Sequence, residues 1–432
     1  MINCQDVAYM TECSKLRFLI LFIWANLNAF GVGFAQIVSR PFNVEEISVP
    51  CQKGGVPNLF KHSDGSVWLS WVEYQDDTTD VLKYATLKDN QWREEGEVSR
   101  GNNWFVNWAD FPSFSIFPSQ GKNYLLAHWL QKSASGTYDY DVRISIKKPG
   151  QSDWSPSIVL HQDGIPAEHG FVSLLPEKGK IRAFWLDGRL TKGLEATVNN
   201  KKGGHSGHQG AMTLHTALVD TLGIVSEETL LDSRICDCCQ TSATMVDNGP
   251  VVVYRDRSER EIRDISIIRF ENGSWTEPVS IFQDNWMITG CPVNGPAVSS
   301  YKNKLAIAWF TGKNNKGEVK VIFSENGGRT FGKPVIIDAD NPLGRVDIQW
   351  LNEKQVAVSW MSNQGKSTKL SLQMIGANGK KGILQHITDT SPERLSGFPI
   401  FVPHESGLII STTKVNSDKS TQVQTYRLSL DK

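Results

Sequence analysis

Residues 67–73 read VWLSWVE, and an apolar run of the same build returns six times, at residues 124–131 (YLLAHWLQ), 181–188 (IRAFWLDG), 251–257 (VVVYRDR), 305–312 (LAIAWFTG), 356–362 (VAVSWMS) and 408–414 (LIISTTK). The first six centre on Trp71, Trp129, Trp185, Tyr254, Trp309 and Trp360, roughly 50 to 70 residues apart, a period that marks an array of supersecondary units. A second alternating strand follows each run, as at residues 81–87 and 142–147. An outer strand comes next, often opened by an aromatic and a proline, as in Trp154-Ser155-Pro156 and Trp275-Thr276-Glu277-Pro278. The pattern predicts an all-β propeller of seven blade-like repeats. The seventh repeat has no outer strand before the sequence stops at Lys432, and residues 43–49 (NVEEISV) are expected to supply it, joining the two ends and removing the open sheet edges.

Composition fits one radial domain over residues 36–432. The 432 residues include 36 Gly and 14 Trp, distributed over many short alternating runs. A net charge of −1 and the lack of a long basic stretch leave no electrostatic footprint for nucleic acid. At the front, Lys15 and Arg17 precede the apolar residues 18–34, and Gly33-Phe34-Ala35 offers small residues for cleavage. Residues 1–35 are therefore expected to be an export signal, giving a periplasmic or secreted protein with no membrane span after cleavage. A membrane anchor is the alternative reading of the same stretch.

Propeller geometry sorts the loops before any chemistry is considered. The outer-to-inner connections and the second-to-third hairpins emerge on one face, the remaining hairpins on the other. The second set is bland, as in Ser63-Asp64-Gly65 and Gln120-Gly121-Lys122. The first set reads CQKGGVPN (residues 51–58), NWADFPS (107–113), AEHGF (167–171), CDCCQT (236–241), GCPVNGP (290–296) and GRVD (344–347), with Asp187-Gly188-Arg189 and Arg255, Arg257, Arg260, Arg263 in its hairpins. Function is expected on this rim.

Residues 324–331 (SENGGRTF) resemble the Asp-box of the sialidase superfamily, a tight turn between third and fourth strands in which Gly supplies positive φ. The strings NWADFPS, EHGF, WLDGR, CDCCQT, YRDRS with EIRD, and GCPVNGP are similar to those of exported bacterial proteins grouped in that superfamily and labelled exo-α-sialidase, over about residues 50 to 350. The resemblance implies six blades where the repeats number seven, and both counts are carried as expectations. It also implies a glycan ligand, an acidic sugar, and a hydrolase or glycan-binding role.

Releasing such a sugar calls for cations on its carboxylate, an acid for the leaving oxygen, and a carboxylate-activated tyrosine. Arg189, Arg255 and Arg345, from three repeats, are the candidate clamp, with Arg257, Trp108 and Asn294 as further contacts. Asp110 or Asp187 is the candidate acid, and Glu168 or Glu261 the candidate partner of a tyrosine such as Tyr254. The sialidase Phe-Arg-Ile-Pro motif is absent, and Arg40-Pro41 lies before the first repeat. The arginines have a structural alternative: pairs such as Arg189/Asp187, Arg255/Asp256 and Arg263/Asp264 can tie neighbouring blades. The five strand tryptophans read as packing between blades, whereas Trp104, Trp108 and Trp286 stand in rim loops where a sugar face could stack.

Cysteines raise a second reading of a different class. Cys4 and Cys13 fall in the signal, leaving Cys51, Cys236, Cys238, Cys239 and Cys291, all in outer-to-inner loops of the same rim. Disulfides are one outcome in an oxidising compartment, with one thiol left over. A soft-metal site for Cu(I) or Zn(II) on Cys236, Cys238, Cys239 and Cys291, with His169 as a nearby candidate ligand, is the other. Residues 193–210, which include His205 and His208, form an enlarged Gly- and Lys-rich loop and a candidate lid.

Overall fold

In a computed structural model, residues 40–192, 210–364 and 367–430 are described. The expected export signal and the loop with His205 and His208 lie outside these residues. Seven antiparallel sheets follow one another along the chain, six four-stranded and one five-stranded, so the protein is a seven-bladed β-propeller and the six-blade expectation is corrected. Blade 1 runs through Gly54–Lys61, Val67–Tyr74, Asp80–Lys88 and Gln91–Gly101, and the order inner to outer repeats in every blade. In blade 7, Asn43–Ile47 is the outer strand, paired antiparallel with Thr421–Ser429 from the other end of the chain. Among the described residues, no helix is long and apolar enough to cross a membrane.

The recurring aromatic sits on the second strand of its blade and packs inward between blades. Trp71, Trp185, Trp309, Trp360 and Tyr254 are all 2% exposed or less. Val321 and Phe323 of blade 5, for instance, share one apolar cluster with Trp350, Val356 and Trp360 of blade 6. Burying one such ring removes roughly 200 Å² from water, on the order of 5 kcal/mol at about 25 cal/mol per Å². Trp185 and Trp309 satisfy their indole N–H on Asp187 and Asp284 at 2.9 and 2.7 Å. Prolines shape the outer strands: blade 4 has Ser274–Trp275 and Val279–Ser280 as two fragments separated by Thr276-Glu277-Pro278, since proline cannot donate to the ladder.

Three of the expected rim loops prove to be the first residues of inner strands, each bent by a bulge. Ladder register shifts between Gly55 and Asn58, Gly170 and Ser173, and Gly344 and Asp347. The residue after each leading glycine has positive φ: Val56 at 47°, Phe171 at 54° and Arg345 at 53°. Side chains this bulky adopt that region only when their surroundings impose it. A polar group on the preceding blade answers two of the bulges. Asp110 Oδ1 accepts the Phe171 N–H at 2.7 Å, and Asn294 Oδ1 accepts the Arg345 N–H at 2.7 Å.

The turn at residues 324–331 holds itself together. Ser324 Oγ accepts the Gly328 N–H at 2.9 Å, and Asn326 Oδ1 accepts the Thr330 N–H at 2.9 Å. Gly327 and Gly328 have φ of 69° and 84°, as a turn this tight requires.

Candidate functional site

The inner strands of all seven blades surround an axial channel of about 270 Å³. On the rim face, two recesses adjoin its wall. One, of about 140 Å³, is lined by Trp108, Asp110, Tyr138, Tyr140, Glu168, Asp237, Cys238, Cys291 and Arg394. The other, of about 310 Å³, shares Tyr138, Glu168 and Asp237 and adds Asp139, Lys192 and Met212. The shared residues come from the second-to-third hairpin of blade 2 and the connections between blades 2 and 3 and between blades 3 and 4.

Glu168 is half-buried where both recesses meet. Its backbone bridges to Tyr140, and its carbonyl accepts the Gly188 N–H at 2.7 Å. A Cβ on residue 188 would stand 2.9 Å from that carbonyl oxygen, so glycine there permits the close approach of the blade 3 hairpin. The Tyr140 hydroxyl donates to Glu168 Oε1 at 3.0 Å and lies 3.3 Å from Asp110 Oδ2. Phe105 fixes the phenol ring by stacking at 4.2 Å. Asp110 is 1% exposed and fills the space above Gly170, where a Cβ would fall 1.9 Å from Oδ2.

Burial raises each of these carboxyls above its ordinary range. Burial pushes Glu168 up to about 8, with the nearby Asp110 and Asp237 charges adding to the shift and the Tyr140 hydrogen bond opposing it. Burial likewise pushes Asp110 up to about 7 against the hydrogen bonds from Phe171 and Tyr140. The Tyr140 phenol is driven well above its ordinary range by burial and by the two acids, so it remains a donor. Asp237 is raised by burial, which the Arg257 guanidinium opposes from 3.0 Å away.

Other expected catalytic residues sit elsewhere. Tyr254 donates to Asp232 at 2.5 Å, so the tyrosine that meets Glu168 is Tyr140, from the neighbouring blade. Asp187 is fully buried, and burial would raise it. Arg189 at 2.7 Å and His169 at 3.6 Å hold it below the usual carboxylate range, so it is an anion and a poor proton donor.

The three candidate clamp arginines do not converge, because protein partners occupy their donors. Arg189 binds Asp187, Asp163 and Glu228. Arg255 is 2% exposed, donates to the carbonyls of Asn294, Arg263 and Phe310, and lies 5.0 Å from the Trp286 ring. It therefore makes no pair with Asp256, nor does Arg263 with Asp264. Arg263 binds Glu261 at 2.7 Å, while Asp264 accepts the N–H groups of Asn285 and Trp286. Arg345 donates to Ser396 Oγ and to the carbonyls of Glu393 and Gly397, and burial pushes it down to about 10.

Asn294 ties blade 5 to blade 6 through Arg345 N and Leu343 O, a structural use of its whole amide. Trp108 does line the smaller recess, with its ring packed on Phe398 at 5.7 Å and under Arg345 at 4.8 Å. Trp104 stacks on Trp129, and Trp286 is 7% exposed, so both serve packing. His169 stands apart from the thiols: its Nε2 meets Asp163 at 3.0 Å and its ring stacks on His161 at 3.6 Å.

Sequence reasoning missed Asp237, Tyr138, Tyr140 and Arg394. Asp237 lies inside CDCCQT, which was read only for its cysteines. Tyr138 and Tyr140 belong to a second-to-third hairpin, the loop class assigned to the rim, so a complete survey of those hairpins contains them. Arg394, in the connection from blade 6 to blade 7, is exposed and makes no side-chain hydrogen bond or ion pair among the described residues.

All five described cysteines are free thiols. Cys236, Cys238 and Cys239 place their Sγ atoms within 4.8 Å of one another, and Cys291 lines the same recess as Cys238. Cys51 is buried in the core between blades 7 and 1.

No family model and no curated protein matches this chain. Among solved structures, it is similar to an α-L-arabinofuranosidase of Fusarium graminearum in complex with arabinobiose, at 12% identity and TM-score 0.48, over 87% of this chain and 93% of that one. It is also similar to a Streptococcus pneumoniae sialidase, at 13% identity and TM-score 0.43, over 94% of this chain and 72% of that one. A Penicillium chrysogenum α-L-arabinanase complexed with arabinobiose gives 14% identity and TM-score 0.44, over 90% and 98%. The blade count rests on this chain's own strand pairing.

Proposed function

We propose that this propeller is a glycan-acting protein, a glycoside hydrolase that binds an acidic sugar in the recesses between blades 2, 3 and 4. The observation that carries the reading is Glu168: a carboxyl on the wall of both recesses, hydrogen-bonded to Tyr140 and raised to about 8, so that it holds a proton at neutral pH. Such a group can protonate a glycosidic oxygen as the bond breaks. Asp237, on the same walls and ion-paired with Arg257, is the second carboxylate, placed to activate water. Tyr140, a protonated and buried phenol, positions Glu168 and is not itself the nucleophile. Arg394 at the mouth supplies the cation for the sugar's acidic group, in place of the three arginines that the fold occupies.

The test is release of reducing sugar from a panel of acidic and neutral oligosaccharides, with binding measured in parallel. Cleavage of an acidic member, lost in Glu168→Gln while binding persists, supports the reading. Arg394→Ala should raise KM for the acidic member and leave a neutral one unchanged. Failure to bind or cleave any member, or a Glu168→Gln variant as active as the parent, overturns it. Export to the periplasm or outside the cell remains part of this proposal, since such glycans are met there.

A further inference from the structure

The recess floor carries a second chemistry that glycoside hydrolysis does not use. Cys236 leaves the outer strand of blade 3, and Cys239 precedes the inner strand of blade 4 by three residues, so the Cys236-Asp237-Cys238-Cys239 turn is pinned at both ends. The Cys236 N–H donates to the Arg255 carbonyl at 3.0 Å. Three Sγ atoms are within 4.8 Å of one another, with Cys236 and Cys239 at 3.5 Å. Four sulfurs about 2.3 Å from one tetrahedral metal are about 3.8 Å apart, so this spacing suits shared coordination, whereas a disulfide needs about 2.05 Å.

Access and charge point the same way. Cys238 and Cys291 line the smaller recess, while Cys236 and Cys239 are each 1% exposed beneath it. The Asn294 N–H donates to Cys239 Sγ at 3.4 Å, the kind of outer hydrogen bond that orients a thiolate ligand. Two buried guanidinium groups, Arg255 and Arg263, act on Cys236. Arg263 keeps its Nε and Nη1 buried with no hydrogen-bond partner, an arrangement that calls for negative charge beside it. Zn(II) on four thiolates and Cu(I) on three both carry a net charge of −2, which the neighbouring Arg255 and Arg263 guanidiniums favour, Arg263 sharing its charge with Glu261.

We propose that Cys236, Cys238 and Cys239 form a binding site for a thiophilic d10 cation, Zn(II) or Cu(I), with Cys291, which lines the same recess as Cys238, drawn in as the fourth sulfur when the metal takes four. Each sulfur that binds gives up its thiol proton to solvent as its metal bond forms, with no change of oxidation state. The site adjoins Asp237 and the recess of the glycan reading but does not rest on that reading, and its test uses no sugar.

The full-length protein, purified reduced and without chelators, is titrated with Zn(II) alone and with Cu(I) alone, desalted, and assayed for metal content and free thiols. The expected result is one metal per chain, falling below a tenth of that in Cys238→Ser and Cys239→Ser, with Cys51→Ala unaffected. Thermal melting of each variant separates lost binding from lost fold. Should both cluster variants fail to fold, protection of the thiols from alkylation by metal in the unmodified protein is the second readout. Loss of Zn(II) but not Cu(I) in Cys291→Ser identifies three-sulfur Cu(I) coordination, and loss of both identifies four sulfurs. Reactivity of every cysteine with no retained metal, or a missing pair of thiols accounted for by a disulfide, overturns the proposal.

Discussion

Asp110 and Asp347 perform the same task in different blades, and only one of them stands in a candidate site. Each is a buried carboxyl beside an inner strand that accepts a backbone N–H from the inner strand of the next blade, Phe171 at 2.7 Å for Asp110 and Phe401 at 2.8 Å for Asp347. Burial raises both to about 7. Asp347's further partners are the N–H of its neighbour Ile348 and the Gln349 side chain. Asp110 also faces the Tyr140 hydroxyl, and through it Glu168 and the recess. A proton-holding acid at this level is therefore a device of the repeat for tying blades. It joins the proposed site only where blades 2 and 3 add a phenol and a second carboxyl.

The sharpest way to break this comparison is Glu168→Gln, which keeps the shape and removes the acid. Turnover should fall by about a hundredfold or more, the range for loss of a general acid, with ligand binding retained. Tyr140→Phe comes next: losing the neutral hydrogen bond that positions the protonated Glu168 costs about 0.5 to 1.5 kcal/mol, roughly a two- to tenfold loss in turnover. Because that bond favours the charged form of Glu168, its loss should also move the alkaline limb of the pH–rate profile upward from about 8. Parallel truncations then separate tie from chemistry. Asp110→Ala and Asp347→Ala should each destabilise by about 1 to 3 kcal/mol in denaturant melts by orphaning a backbone N–H, and only the first should also reduce turnover.

The smallest effect concerns pH and stability. A carboxyl raised in the folded state binds more protons there than in the unfolded chain between its two pKa values, so stability falls as pH rises through that window. For Glu168 the window runs from 4.5 to about 8. Asp110 and Asp347 act in the same direction up to about 7, so Glu168→Gln should lower the slope across the whole window and remove these groups' decline above about 7. Denaturant midpoints across pH 5 to 9 for parent and variant measure it, and coincident slopes would contradict the assignment.

Much of the architecture was legible because the tryptophan on the second strand of five blades has one physical use, filling the gap to the neighbouring blade. The face bearing the site was legible too, since strand alternation decides which loops share an end. What escaped were pairings across blades. Glu168 meets Tyr140 rather than Tyr254 because a bridge joins the hairpin of blade 2 to the connection before blade 3, a neighbourhood that no local pattern announces. The arginines failed as a clamp for a similar reason. Arg255 and Arg345 donate chiefly to main-chain carbonyls, partners that every residue possesses and that sequence cannot assign.

The most direct test is carboxyl carbon NMR of the glutamate-labelled protein, titrated beside the Glu168→Gln variant. The account predicts one glutamate titrating near 8 that is missing from the variant, and a Glu168 signal titrating near its ordinary 4.5 would contradict it.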